Sequence, residues 1–168
     1  MYVFLDFDGV MRRLTSRPFR FDRDCLERFE NVLRAHPRAR VVVASAWRLG
    51  LSLDSLRELF SPDIAPRVVG VTPESADLTG AYRHREMLGY LERNAAAGDA
   101  WVVVDDDGDH YPAGVRLISI DPRCGFDERA AAELARELHG LARTEAHGGP
   151  SDGAPSGDGP EEWIGLPR

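Results

Sequence analysis

The chain opens on Tyr2-Val3-Phe4-Leu5, four apolar residues with no polar break, and runs directly into Asp6-Phe7-Asp8-Gly9. An unbroken run of β-branched and aromatic residues reads as a strand buried on both faces, the mark of a central strand in a parallel sheet. In an open α/β sheet the ligand crevice lies at the carboxyl ends of the strands, and Asp6 and Asp8 fall at that end. Two carboxylates so close repel each other unless a cation or a proton neutralises them, and a divalent metal is the simplest such cation. Taken alone, D-x-D-G also describes an ordinary strand followed by an Asp-Gly turn.

The pattern recurs. Arg40-Val41-Val42-Val43-Ala44 is a second buried run, ending in Ser45-Ala46-Trp47-Arg48. Residues 67–71 read as a third strand and residues 115–120 as a fifth. The fourth, Trp101-Val102-Val103-Val104, ends in Asp105-Asp106-Asp107-Gly108-Asp109, four carboxylates within five residues. Helices fall between the strands. Asp22 is placed as the N-cap of a helix to about residue 36, with Leu26, Phe29, Val32 and Leu33 inward. A short helix covers about residues 52–60. Another covers 82–94, with Met87, Leu88 and Leu91 on its apolar face, and Asp127 caps a last helix that turns Leu134, Leu138 and Leu141 to one side. Alternating strands and helices predict a doubly wound α/β domain whose reactive residues share one edge of the sheet.

At 168 residues there is room for one domain with a substantial core. No run approaches the roughly 18 apolar residues of a membrane span, so a soluble, cytoplasmic protein with no membrane contact is expected. Cys25 and Cys124 lack a C-x-x-C spacing and are expected as free thiols. All 21 basic residues are arginine, so any basic role in catalysis must fall to arginine. Five acidic residues and a single arginine lie from Glu145 onward, which carries more than half of the net charge of −7. The body keeps the other −3, and because Asp6, Asp8 and the cluster at 105–109 supply six of its carboxylates, its remaining surface is mildly basic and overall acidity does not exclude a polyanionic substrate. Residues 144–168, rich in Gly, Pro, Ser and Asp with a short apolar end, read as a disordered tail to a 1–143 domain.

Two segments suggest anion contacts. The loop after the first strand carries Arg12, Arg13, Arg17 and Arg20 with Phe19 and Phe21; arginine forks match phosphate and aromatic rings stack on bases, although a solvated loop has the same composition. Arg83 and Arg85 stand in the first turn of a helix, where the dipole disfavours cations, which points to a nearby anion.

In order, D-x-D, a serine, a basic residue at a helix start and an aspartate pair resemble the four motifs of the HAD phosphohydrolase superfamily, here FLDFDGV, VVVASAW, the region of residues 82–85 and WVVVDDD. ASAWR, RVVGVTP, RHREMLGYLE and DPRCGF look closer still to the short HAD domain of Swiss Army Knife RNA repair proteins, over about residues 2–140. The resemblance implies a three-layer Rossmann-like fold, with a central parallel five-stranded sheet, helices on both faces and no full cap domain. It implies Asp6 as a nucleophile that forms an aspartyl-phosphate and Asp8 as acid and then base, with its backbone carbonyl on Mg²⁺. Ser45 would hydrogen-bond the phosphoryl group. Arg83 would replace the usual lysine, with Arg85 as the alternative; Asp106 and Asp105 would complete the metal site, and Asp109 would lie behind it.

Phosphoryl transfer needs an in-line nucleophile and neutralised equatorial oxygens, which a hard, oxygen-liganded cation and a basic side chain supply. The gaps between motifs are too short for a full cap, and an open site suits a phosphate displayed on a macromolecule. The leading expectation is a Mg²⁺-dependent phosphatase, with nucleic-acid end phosphates as a candidate substrate and Arg12, Arg13 and Arg48 as candidate contacts. The alternatives are a small-molecule phosphatase and a catalytically weak phosphate-binding or regulatory module. A receiver-type phosphoacceptor fits less well, since its acceptor stands on a middle strand.

Overall fold

In the computed structural model, which describes residues 1–17, 19–95 and 99–147, the unbroken apolar runs become the inner strands. β1 (Tyr2–Leu5) is buried at every position and sits at the centre of the sheet. It pairs in parallel with β2 (Arg40–Val43) on one side and β4 (Trp101–Asp105) on the other. β3 (Val68–Val71) and β5 (Leu117–Ser119) form the edges, giving the order β3-β2-β1-β4-β5, parallel throughout.

Three helices connect successive strands, α1 (Arg23–Ala35), α2 (Leu53–Arg57) and α3 (Tyr82–Asn94), and α4 (Glu128–His147) follows β5. The period-2 pleat divides the core. Val3, Leu5, Val41 and Val43 face the layer that contains Phe29 and Leu33 of α1, Leu56 of α2 and Leu134 and Leu138 of α4. Tyr2, Phe4, Val42 and Val103 face the opposite way, onto Met87 and Tyr90 of α3. The result is a three-layer α/β fold of Rossmann type. No helix among the described residues is long and apolar enough to cross a membrane.

Several boundaries differ from those expected. β5 is shorter than residues 115–120, because Val115 turns back onto the Pro112 carbonyl before the ladder begins. α2 stops at Arg57, short of residue 60. Leu88 is 44 % exposed and lies off the buried face of α3, which Tyr90 completes instead. Asp22 occupies the N-cap position of α1, but its side chain caps nothing; its Oδ2 accepts from Arg13 N and Ser16 Oγ in the preceding loop. Asp127 does cap α4, accepting from Ala130 N at 2.9 Å. α4 continues through His147, past the change in composition at Thr144. The tail expected over 144–168 otherwise falls outside the described residues.

The loop of residues 6–22 is folded in its base and open at its tip. The Phe7 carbonyl accepts from the amides of Val10, Met11 and Arg12, and Phe126 N donates to Val10 O at 2.8 Å. Leu14 N reaches Pro122 O, and Arg13 Nε reaches Cys124 O, so the DPRCGF segment fastens this flap to the domain. Beyond that anchor Leu14, Arg17, Phe19 and Arg20 are exposed. Cys25 and Cys124 are free thiols.

Candidate active site

The parallel ladders run on one residue past the strands and align the tips. Asp6 N donates to Val104 O, Ala44 N to Leu5 O, and Ile120 N to Asp105 O. Asp6 therefore ends the central strand between Ser45 at the tip of β2 and the acidic tip of β4. Carboxylate oxygens of Asp6, Asp105 and Asp106 come together within 4.8 Å of one another. The approach is close enough that Gly9, at φ 77°, is required: a Cβ there would collide with the Asp106 carboxylate.

Three carboxylates packed under a buried strand are electrostatically expensive, and their acidities show it. Burial first, and then the charge of Asp105, raise Asp6 to about 6, partly offset by Arg83. Asp106 is likewise raised to about 6, by burial and then by Asp6. Burial also raises Asp105, against the opposing pull of Arg83, Asp107 N and Tyr111. Two groups hold Asp105 in place: Asp107 N donates to Oδ1 at 2.9 Å and Tyr111 Oη to Oδ2 at 2.8 Å. A compact all-oxygen set of this kind fits a hard divalent cation such as Mg²⁺, which would relieve the mutual repulsion.

Arg83 crosses from the first turn of α3 into this cluster. Its Nη1 donates to Asp6 Oδ1 at 3.2 Å, to Ala44 O at 3.3 Å and to Asp105 Oδ2 at 3.4 Å. Burial opposes its charge, but Asp6 and Asp105 outweigh that, so its acidity falls below the ordinary arginine value. Its Nε is buried with no partner among the described residues. An orphaned cationic donor beside a carboxylate cluster is set to receive an anion's oxygen. Arg85, one of the two candidates for this role, turns away to the Asp77 and Thr79 carbonyls.

Asp8 stands outside the triad. Its Oδ1 takes both Arg12 Nε at 2.7 Å and Arg12 Nη2 at 2.6 Å, while Oδ2 takes only Trp47 Nε1 at 2.8 Å. A carboxylate oxygen offers two lone-pair directions, so Oδ2 keeps one free. Ser45 is buried, and among the described residues its Oγ is approached only by Trp47 N at 3.5 Å.

The three arginines expected to contact substrate are used internally. Arg12 holds Asp8. Arg13 pairs with Asp24 and Asp22, and hydrogen bonding with Asp24 raises its pKa. Arg48 is buried in an ion pair with Glu86 at 2.7 Å and spends its other donors on the carbonyls of Thr72, Ala44 and Ser45. Asp109 is exposed in the turn after β4, and its amide donates to Asp107 Oδ1. Sequence reasoning missed Trp47 and Tyr111 as the groups that orient Asp8 and Asp105. Their only local signal is an aromatic residue shortly after each strand tip.

A parallel α/β sheet of this order, with aspartates at the tips of β1 and β4 and an arginine reaching them from the helix that precedes β4, defines a HAD-type domain. Residues 2–131 match the family model described as the HAD domain in Swiss Army Knife RNA repair proteins, and the chain belongs to that family. Comparison with curated proteins gives no match, and neither does comparison with solved structures.

Proposed function

We propose that the chain is a Mg²⁺-dependent phosphomonoester hydrolase that works through an aspartyl-phosphate. The observation that carries this reading is the juxtaposition of Asp6, Asp105 and Asp106 with a half-buried Arg83 whose buried Nε has no partner among the described residues. Mg²⁺ bound by these three carboxylates would supply positive charge to the phosphoryl oxygens.

The chain's own residues perform the remaining steps. Arg83 Nε and the Ser45 hydroxyl bind the phosphoryl oxygens and orient phosphorus toward Asp6. The Asp6 carboxylate attacks phosphorus, an O–P bond forms, and the ester P–O bond breaks. The departing oxygen takes the proton carried by Asp8 on Oδ2. In the second half, the Asp8 carboxylate takes a proton from water as the water oxygen attacks phosphorus. The bond from Asp6 to phosphorus breaks, which restores the carboxylate and releases inorganic phosphate.

Nucleic-acid end phosphates are the substrate class we favour. No cap domain covers the strand tips among the described residues. Arg17 and Arg20, at the tip of the flap, are exposed and make no ion pair with any described residue. They replace Arg12, Arg13 and Arg48 as free cations for a polyanion. The test is Mg²⁺-dependent phosphate release from 5′- and 3′-phosphorylated oligonucleotides, mononucleotides and an aryl phosphate, with Asp6→Asn as control. Release that needs both Asp6 and Mg²⁺, and is fastest on oligonucleotides, is expected. Faster turnover of free small phosphates would favour the small-molecule reading, and no release from folded, metal-loaded protein would defeat the enzymatic one.

A further inference from the structure

Beside the acid, the flap and the turn after β2 enclose a groove of about 390 Å³ lined by Asp8, Phe19, Ala46, Trp47, Gly50 and Leu51. That volume falls within the roughly 300–1,000 Å³ of small-molecule sites. Its walls are almost wholly apolar. Among the described residues Asp8 is the only ionisable side chain lining it, and its Oδ1 is already taken by Arg12. Trp47 Nε1, the one polar atom of the large rings, is occupied by Asp8 Oδ2. A second phosphate or a polyhydroxylated sugar would therefore find no partner in this groove, whereas a flat ring would find π-faces and aliphatic surface.

Phe19 is the most unusual part of the wall. Its side chain is 76 % exposed, and its backbone holds φ 58°, the left-handed region that a non-glycine residue seldom adopts. Its ring leans on Trp47 at 5.4 Å between centroids with the planes 48° apart. An exposed ring held in such a backbone, beside a functional carboxylate, points to a binding role. The position of Asp8 says which part of a substrate lies there. The oxygen that takes a proton from Asp8 is the leaving oxygen, so whatever is attached to that oxygen extends from Asp8 into this groove.

Resting on the phosphohydrolase reading, we propose that this groove is the leaving-group subsite and that it holds a nucleobase stacked on Phe19. The base comes either from a free nucleotide or from the terminal nucleoside of a strand. The chemistry in the groove is the same for both, and Arg17 and Arg20 favour the strand.

The test compares kcat/KM for a nucleoside monophosphate, a short oligonucleotide bearing the same terminal phosphate, and glycerol phosphate, in wild type, Phe19→Ala and Phe19→Tyr. Loss of one base–aromatic stack lowers the preference for the nucleotide over glycerol phosphate about tenfold in Phe19→Ala, through KM, and Phe19→Tyr retains it. A higher kcat/KM for the oligonucleotide identifies the strand as the source, and equal values identify the free nucleotide. A wild type that does not distinguish nucleotide from glycerol phosphate, or a preference unchanged in Phe19→Ala, overturns the subsite. If none of the three is hydrolysed, the phosphohydrolase reading fails separately. The subsite is then decided by quenching of tryptophan fluorescence with unphosphorylated nucleoside, which a real subsite shows in wild type and loses in Phe19→Ala.

Discussion

Arginine does the work at the residue scale in this lysine-free chain, and its uses divide by burial. Arg83 is half-buried with a buried donor to spare, Arg17 and Arg20 are exposed and make no ion pair among the described residues, and the Arg48 side chain is buried with its donors engaged. Arg48 ties the tip of β2 to α3 through Glu86, which is itself 4 % exposed and also accepts from Ser75 N. Removing one partner of a buried pair leaves the other charge without compensation. Arg48→Met should therefore destabilise the domain by about 3–5 kcal/mol, read by urea unfolding. A loss below ~1 kcal/mol, the range of surface pairs, would mean that the pair is solvated. Little of this was legible in the sequence. Arg48 and Glu86 lie far apart in the chain, and where every cation is arginine, composition does not separate a clasp from a substrate contact.

At the scale of elements, the strands were legible because burial on both faces demands an unbroken apolar run. β1, β2 and β4 carry such runs, and the residues that end them are the ones brought together. β5 was overextended because Val115 and Leu117 are apolar enough to pass for a ladder that starts only at Leu117. The flap was legible as a loop, but its anchoring by the DPRCGF segment was not, since it depends on backbone carbonyls. The junction of the β1 and β4 tips gives a sharp test. Gly9 holds φ 77° and has the Asp106 carboxylate where a Cβ would lie. Gly9→Ala must displace Asp106 or distort the turn, and Mg²⁺ affinity should fall by about ten- to a hundredfold, as when groups supporting a metal site are lost. Calorimetric titration showing wild-type affinity would remove Asp106 from the metal site.

At the scale of the whole molecule, the site sets a balance between protons, metal and stability. In the metal-free protein Asp6 and Asp106 titrate at about 6, against 3.8 as the ordinary value. Between those values the folded state binds more protons than the unfolded state, so stability falls as pH rises through that window. Above about 6 both carboxylates are charged in the native state, and the cost is fully present. On the proposed reading, Mg²⁺ at these carboxylates would compete with those protons and stabilise only the folded form. The rise in Tm on adding Mg²⁺ should therefore be larger at about pH 7.5 than at about pH 5. An equal rise at both values would show that the ion binds elsewhere.

Reductive trapping shows whether Asp6 carries the phosphoryl group. Borohydride added during Mg²⁺-dependent turnover converts an acyl phosphate to an alcohol, leaving homoserine in place of the aspartate, which peptide mass spectrometry locates. Homoserine is expected at position 6, only with substrate and Mg²⁺ present, and none in Asp6→Asn. Steady turnover with position 6 unmodified, or homoserine at position 8, 105 or 106 instead, would contradict it.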